Sequence, residues 1–201
     1  LWLTLVFVPK MYIVKNVDAT NDWNVYHHSI GNTHRLFLNT TQAEEDNASA
    51  WNDTSPTSSV FSVGTNTNVN QSGSTMIAYV FAEKTGFSKF DKYKGNGSTD
   101  GSFIYTGFKP AFVLTKKATG SADNWVLLDN KRDTAPNPHK LALFPNLTNV
   151  EAGDYLTDFT SNGFKIKSAT GSLNNNNSTY VYMAFAEAPL VGSNNIPNTA
   201  K

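Results

Sequence analysis

The chain reads as an all-β protein made of two tandem antiparallel β-sandwiches that arose by internal duplication. Three observations predict this. Helical periodicity is nearly absent from the 201 residues. Short apolar or alternating runs are broken throughout by Gly, Asn, Asp and Pro, the pattern of strands joined by tight turns. The order of motifs in the first half then recurs in the second.

The expected elements follow in order. Met11-Tyr12-Ile13-Val14, Trp23-Asn24-Val25-Tyr26, Leu36-Phe37-Leu38, Val60-Phe61-Ser62-Val63 and Met76-Ile77-Ala78-Tyr79-Val80-Phe81 read as strands. Gly31-Asn32, Asn70-Gln71-Ser72-Gly73, Asn96-Gly97 and Asp100-Gly101 between and after them are turn chemistry. Gln42 to Trp51 is the one helix-permissive stretch. Pro9-Lys-Met-Tyr-Ile-Val-Lys15 then returns as Pro110-Ala-Phe-Val-Leu-Thr-Lys116, a shift of 101. Asp22-Trp23 returns as Asn124-Trp125, His34-Arg35-Leu36 as His139-Lys140-Leu141, and Phe61-Ser-Val63 as Phe164-Lys-Ile166. Thr75 to Glu83 returns as Thr179 to Glu187, again ending Phe-Ala-Glu, at a shift of 104. Ordered blocks at nearly constant shift mark a whole-domain repeat, with small insertions in the turns.

Phe87 to Phe108 lies between the copies and carries two further strands, around Phe90–Tyr93 and Phe103–Tyr105. The first copy lacks this leading hairpin, which predicts an N-terminal truncation. The expected units are residues 1–86, residues 87–191 and a polar tail, 192–201. The strand ending Phe-Ala-Glu is apolar on both faces and is expected at a central position in each copy. Trp23 and Trp125 read as core or sheet-edge anchors.

Composition narrows the function. Sixteen Lys+Arg balance 16 Asp+Glu, so there is no global basic field for nucleic acid. Cysteine is absent, which removes disulfides, thiolate metal sites and cysteine nucleophiles. The apolar opening stops at Pro9, short of the ~20 residues of a membrane span, and is a poor signal peptide. The polar surplus is 24 Asn, 22 Thr and 17 Ser, concentrated in the turns.

Candidate chemistry is sparse. Retaining glycosidases need carboxyl groups ~5–5.5 Å apart, and no Glu-x-Asp-x-Glu strand supplies them. Glu83 and Glu187 are equivalent lone carboxylates at strand ends and read as structural acceptors of turn N–H groups. His27 and His28, adjacent on a strand, are expected on opposite faces. His34 and His139 read as a strand-start surface pair. Asp129-Asn130-Lys131-Arg132-Asp133 and Asn96-Gly97-Ser98-Thr99-Asp100 lack EF-hand spacing and read as turns, not calcium loops. No metal site or cofactor is expected. Sequons at Asn39, Asn47, Asn52, Asn70, Asn96, Asn146 and Asn176 would matter only in a secretory pathway. The Asn174-Asn175-Asn176-Asn177 run reads as a long polar turn. Trp51, Tyr93, Tyr105 and Tyr155, near Asn-rich loops, are the candidate ligand contacts, because sugar sites join aromatic platforms to hydrogen-bonding loops.

Residues 9–191 also resemble a tandem module of tailed-bacteriophage virion proteins, frequent in marine phages and labelled tail-fibre-like or structural. The resemblance is carried by Pro9-Lys-Met-Tyr-Ile-Val-Lys-Asn16, Asp22-Trp23-Asn-Val-Tyr26-His27, Leu36-Phe-Leu-Asn-Thr40 and Phe81-Ala-Glu83. Tyr93-Lys-Gly-Asn-Gly-Ser-Thr-Asp-Gly101, Gly107-Phe-Lys-Pro-Ala-Phe112, Ser161-Asn-Gly-Phe164 and Tyr182-Met-Ala-Phe-Ala-Glu-Ala-Pro189 extend it. Leu1–Val8 departs from it. It implies a concanavalin-like or SPRY-like jelly-roll pair on a virion appendage: a tail fibre, a head fibre or a capsid decoration. It brings no catalytic residues. Expected partners are other virion proteins, further copies of the chain in a homo-oligomer such as a trimer, and a host-surface glycan. Neither nucleic acid nor membrane insertion is expected. The alternatives are a lectin-like carbohydrate-binding, receptor-binding domain and a polysaccharide depolymerase or glycosidase.

Overall fold

The computed structural model describes residues 5–133 and 136–189. The expected tail at 192–201 and the first four residues of the apolar opening lie outside the described residues. The protein is mostly β, with antiparallel sheets. It divides into two compact units, Leu1–Ala82 and Glu83–Lys201.

The first unit contains β1 (Pro9–Asn16), β2 (Asn24–His27), β3 (His34–Phe37), β4 (Glu45–Asp46), α1 (Ala48–Trp51), α2 (Thr67–Asn70) and β5 (Met76–Ala82). The strands form one sheet of order β4-β3-β2-β1-β5. Alternation puts Tyr12, Val14 and Tyr26 on one face, where they pack with Ala50, Trp51 and Val69. The Tyr12 and Tyr26 rings stack 4.4 Å apart, and Trp51 stands edge-on to both. The helix-permissive stretch yields only the single turn α1. Its acidic part instead pairs with β3, because Glu45 bridges Arg35 at 3.0 Å. Val60–Val63, expected as a strand, is irregular. Phe61 and Val63 still pack on the core, but among the described residues no strand pairs with them.

The second unit contains β6 (Ser88–Lys94), β7 (Phe103–Tyr105), β8 (Pro110–Lys117), β9 (Trp125–Asp129), β10 (Thr157–Thr160), β11 (Gly163–Ile166), α3 (Gly171–Asn174) and β12 (Thr179–Ala186). One sheet has the order β6-β12-β8-β9 and the other β10-β11-β7. A single core draws on both: Tyr93, Val113, Val126, Tyr180 and Tyr182 from the first, Ile104, Phe159, Phe164 and Ile166 from the second. Tyr93 stacks on Tyr180 at 4.9 Å and meets Phe164 edge-on. Such aromatic pairs add ~0.5–1.5 kcal/mol beyond the area they bury.

The repeated blocks occupy matching places. β1 lies between β2 and β5, as β8 lies between β9 and β12. Both carry the same bulge: Pro9 pairs Ala82 and Met11 pairs Phe81, while Pro110 pairs Ala186 and Phe112 pairs Phe185. Lys10 and Ala111 are the extra residues, 101 apart as the sequence shift requires. A side-chain clamp is also repeated. Asn39 Oδ1 accepts the Trp23 N–H at 2.9 Å while its Nδ2 donates to Asp22. Asn146 Oδ1 accepts the Trp125 N–H at 2.9 Å while its Nδ2 donates to Asn124. Two of the sequon asparagines are thus committed to holding strand starts.

One expectation changes here. The Phe-Ala-Glu strand is central only in the second unit, where β6 and β8 flank β12. In the first unit β5 ends the sheet among the described residues. Trp125 is buried, and Trp23 is half-buried and stacks on Tyr79 of that end strand.

Candidate functional site

The four candidate contacts do not converge. Trp51 is fully buried, its Nε1 donating to the His34 carbonyl at 3.0 Å. Tyr93 is buried too, its hydroxyl donating to the Leu173 carbonyl. Both are core aromatics with no face to offer a ligand: large rings bury much apolar area, so α1 and β6 turn them inward. Tyr155 is half-buried against Phe144 at 5.2 Å. Only Tyr105, 65% exposed, presents its ring.

Tyr105 belongs to an organised surface. In β7, Ile104 turns into the core while Phe103 and Tyr105 turn outward, 48% and 65% exposed. Residues two apart on a strand lie ~7 Å apart on one face. The register completes two rows on that face. Asp158, Lys165 and Phe103 stand side by side across β10, β11 and β7; so do Thr160, Gly163 and Tyr105. Gly163 is required there: a Cβ would lie 2.1 Å from the Ile104 carbonyl oxygen and 3.0 Å from the Phe103 ring. The Phe103 ring therefore leans over a backbone window that any side chain would close. Lys165 Nζ bridges Asp100 at 2.7 Å and donates to the Gly101 carbonyl. The Lys165 hydrogen bond and charge hold the Asp100 carboxyl below its ordinary range. Thr160 Oγ1 donates to the Gly163 carbonyl. The result is an exposed aromatic pair bordered by a cation, carboxylates and a hydroxyl. Such a face can stack on the C–H side of a sugar ring and bond its hydroxyls.

Sequence reasoning missed Phe103, Asp158, Thr160 and Lys165. The Phe-Ile-Tyr alternation was a usable signal for Phe103. The other three come from strands whose register is set by tertiary pairing.

The remaining polar candidates are engaged within the fold. Glu83 binds Lys89 at 3.0 Å and accepts the Phe90 N–H, and Glu187 binds Lys109 at 2.8 Å. Asp129 accepts the Lys131 and Arg132 N–H groups; Asp133 accepts those of Lys140 and Leu141. Asn96 and Ser98 close the 96–100 turn on themselves. Among the described residues, no group of three or more His, Cys, Asp or Glu side chains could hold a metal ion. The His27 and His28 rings stack 5.3 Å apart instead of opposing, because β2 ends at His27 and strand alternation ends with it. His139 is not at the surface: it is buried against the Phe159 ring at 4.7 Å, and burial lowers its pKa. The Asn run is not a simple turn either. Asn174 closes α3, fully buried, and its Nδ2 lies within 3.1 Å of Asn96 Oδ1 and the Ser98 and Ser168 carbonyls.

These observations define a class: an all-β, two-unit protein whose organised exposed face is aromatic and polar, and whose acids brace turns. The chain belongs to the family described as "Domain of unknown function (DUF7483)", whose model matches residues 3–189. No curated protein and no solved structure matches it.

Proposed function

We propose that the chain is a non-catalytic structural module of a phage virion appendage, its second unit a jelly-roll sandwich of two sheets about one core. The observation that carries this reading is the use made of the acids. Glu83, Glu187, Asp129 and Asp133 each spend their oxygens on a lysine, an arginine or backbone N–H groups that hold a turn or strand end. That is the economy of a rigid scaffold. The resemblance to virion modules supports the location. Mass spectrometry and immunogold labelling of purified particles test it: stoichiometric copies on an appendage are expected. Absence from particles, with the protein confined to host lysate, overturns it.

A second reading, host-surface carbohydrate binding, is favoured by the exposed Phe103–Tyr105 pair beside Lys165. Double substitution of both rings by Ser removes the stacking surface while leaving Ile104 in the core. Loss of glycan-array signal with unchanged thermal stability supports this reading. No signal from the unaltered protein overturns it.

A further inference from the structure

We infer that the outward face of β10, β11 and β7 binds a neutral oligosaccharide, one sugar ring stacked on Phe103 and the next on Tyr105. The inference rests on the carbohydrate reading above and gives it a ligand class and a minimum length. The two aromatic rings set the length. Phe103 and Tyr105 are 48% and 65% exposed, and among the described residues neither meets another aromatic ring. Tyr93 of the same unit, by contrast, is spent on Tyr180. Each exposed ring lies against a glycine. A Cβ on Gly163 would come 3.0 Å from the Phe103 ring, and one on Gly107 would come 3.8 Å from the Tyr105 ring. Gly107 has φ +82°, a conformation that favours glycine. With no side chain at either position, nothing beneath these rings lifts or screens them. Residues two apart on a strand stand ~7 Å apart on one face. That is more than one pyranose ring spans, so the pair takes successive rings of a chain.

The charges set the class. Two carboxylates, Asp100 and Asp158, stand against two amines, Lys165 and Lys167. Lys165 is spent on Asp100, 2.7 Å away, and on the Gly101 carbonyl. The Lys167 charge acts on the same Asp100 carboxylate. Asp158 stands beside Lys165 in the register and, among the described residues, accepts no hydrogen bond. The face therefore has no surplus cation for a uronate, sulfate or phosphate group, and it meets any such group with an unspent carboxylate. Nucleic acid is disfavoured for the same reason, since phosphate binding draws on free lysine and arginine. Neutral hydroxyls fit both unspent groups. Asp158 can accept from them, and a hydrogen bond to an ionised acceptor is the stronger kind. The Tyr105 hydroxyl, which has no hydrogen bond among the described residues, can donate or accept. A sugar whose hydroxyls are equatorial carries its C–H groups on the two ring faces, where they stack on the aromatic rings. Gluco-configured chains have that form.

The test is calorimetric titration of the full chain with cellotetraose, laminaritetraose, glucose and tetragalacturonate. At least one neutral tetrasaccharide should bind at least about tenfold more tightly than glucose and than tetragalacturonate. Phe103→Ser and Tyr105→Ser, each alone, should remove the gain from chain length and leave the thermal melt unchanged, because both side chains are already exposed. Tyr105→Phe, which keeps the ring, should retain most of that gain. If a Ser variant unfolds, the comparison of neutral with acidic probes on the unaltered chain still decides. Tetragalacturonate binding as tightly as the neutral chains overturns the inference and leaves the carbohydrate reading standing. So does glucose binding as tightly as a tetrasaccharide. Sugar binding untouched by either Ser substitution overturns both. Silence from all four probes at millimolar concentration overturns the inference, and the glycan array then decides the broader reading. Self-association without sugar that is lost in the Ser variants gives the face to a second copy and also overturns the inference.

Discussion

Four consecutive asparagines, Asn174 to Asn177, make a scan in which one residue type meets four environments. Asn174 is fully buried; Asn175, Asn176 and Asn177 are exposed. Asn174 Oδ1 accepts the Asn96 N–H at 2.9 Å. Its Nδ2 faces three acceptors: Asn96 Oδ1, the Ser98 carbonyl and the Ser168 carbonyl. Hydrogen bonds contribute about 1 kcal/mol each net, and an orphaned buried partner costs about 1–3 kcal/mol. Asn174→Ala should therefore destabilise the second unit by about 3–4 kcal/mol. Asn174→Asp should be at least as costly despite its matching shape, since it turns a donor into a charged acceptor facing three oxygens. Asn176→Ala should fall within about 0.5 kcal/mol of the parent, as surface changes do. Asn177 has φ +61°, so Asn177→Ala should cost about 1 kcal/mol and Asn177→Gly little. The assay is denaturant-dependent hydrogen exchange in β8 and β12, which isolates the second unit. An Asn174→Ala loss below about 1 kcal/mol, or one equal to that of Asn176→Ala, would refute the reasoning.

The other predictions are briefer. Asn146→Ala should cost its unit about 1–2 kcal/mol, and Asn39→Ala less, because the first clamp is more exposed and water replaces it; urea unfolding followed by exchange in each unit checks the order. Tyr12 is fully buried with no partner for its hydroxyl, so Tyr12→Phe should be neutral or stabilising by up to about 1 kcal/mol in a thermal melt. Stability should peak near pH 10. Burial lowers Lys116 from 10.5 to about 8, so between those values the unfolded chain binds more protons and stability rises, by up to about 3 kcal/mol. Burial raises Tyr93, Tyr180 and Tyr182. Above pH 10 the unfolded chain loses their protons first, and stability falls. Lys116→Met should remove the rising limb from a pH series of denaturation curves.

The all-β class, most strands and the repeat could be read from the residues alone. Period-2 alternation and turn chemistry are local properties, and two copies of one order reinforce each other. That Glu83 and Glu187 are structural was legible for the same reason, but not their partners: Glu83 takes Lys89 and the N–H of Phe90 in β6, and Glu187 takes Lys109 and the Asn130 amide, not turn N–H groups. Burial was not legible either. Tyr93 carries the same ring as Tyr105, and nothing in one strand says which face its partner sheet covers. Lys165 joins Phe103 only through the β11–β7 register, which is a contact between residues far apart in the chain. Identical asparagines at 174 and 176 part company because one turn, α3, carries Asn174 under the 96–100 loop. The Phe-Ala-Glu strand reads alike in both copies. Its neighbours decide whether it is a core strand or an open edge, since a strand's environment is set by what pairs with it and not by its own sequence.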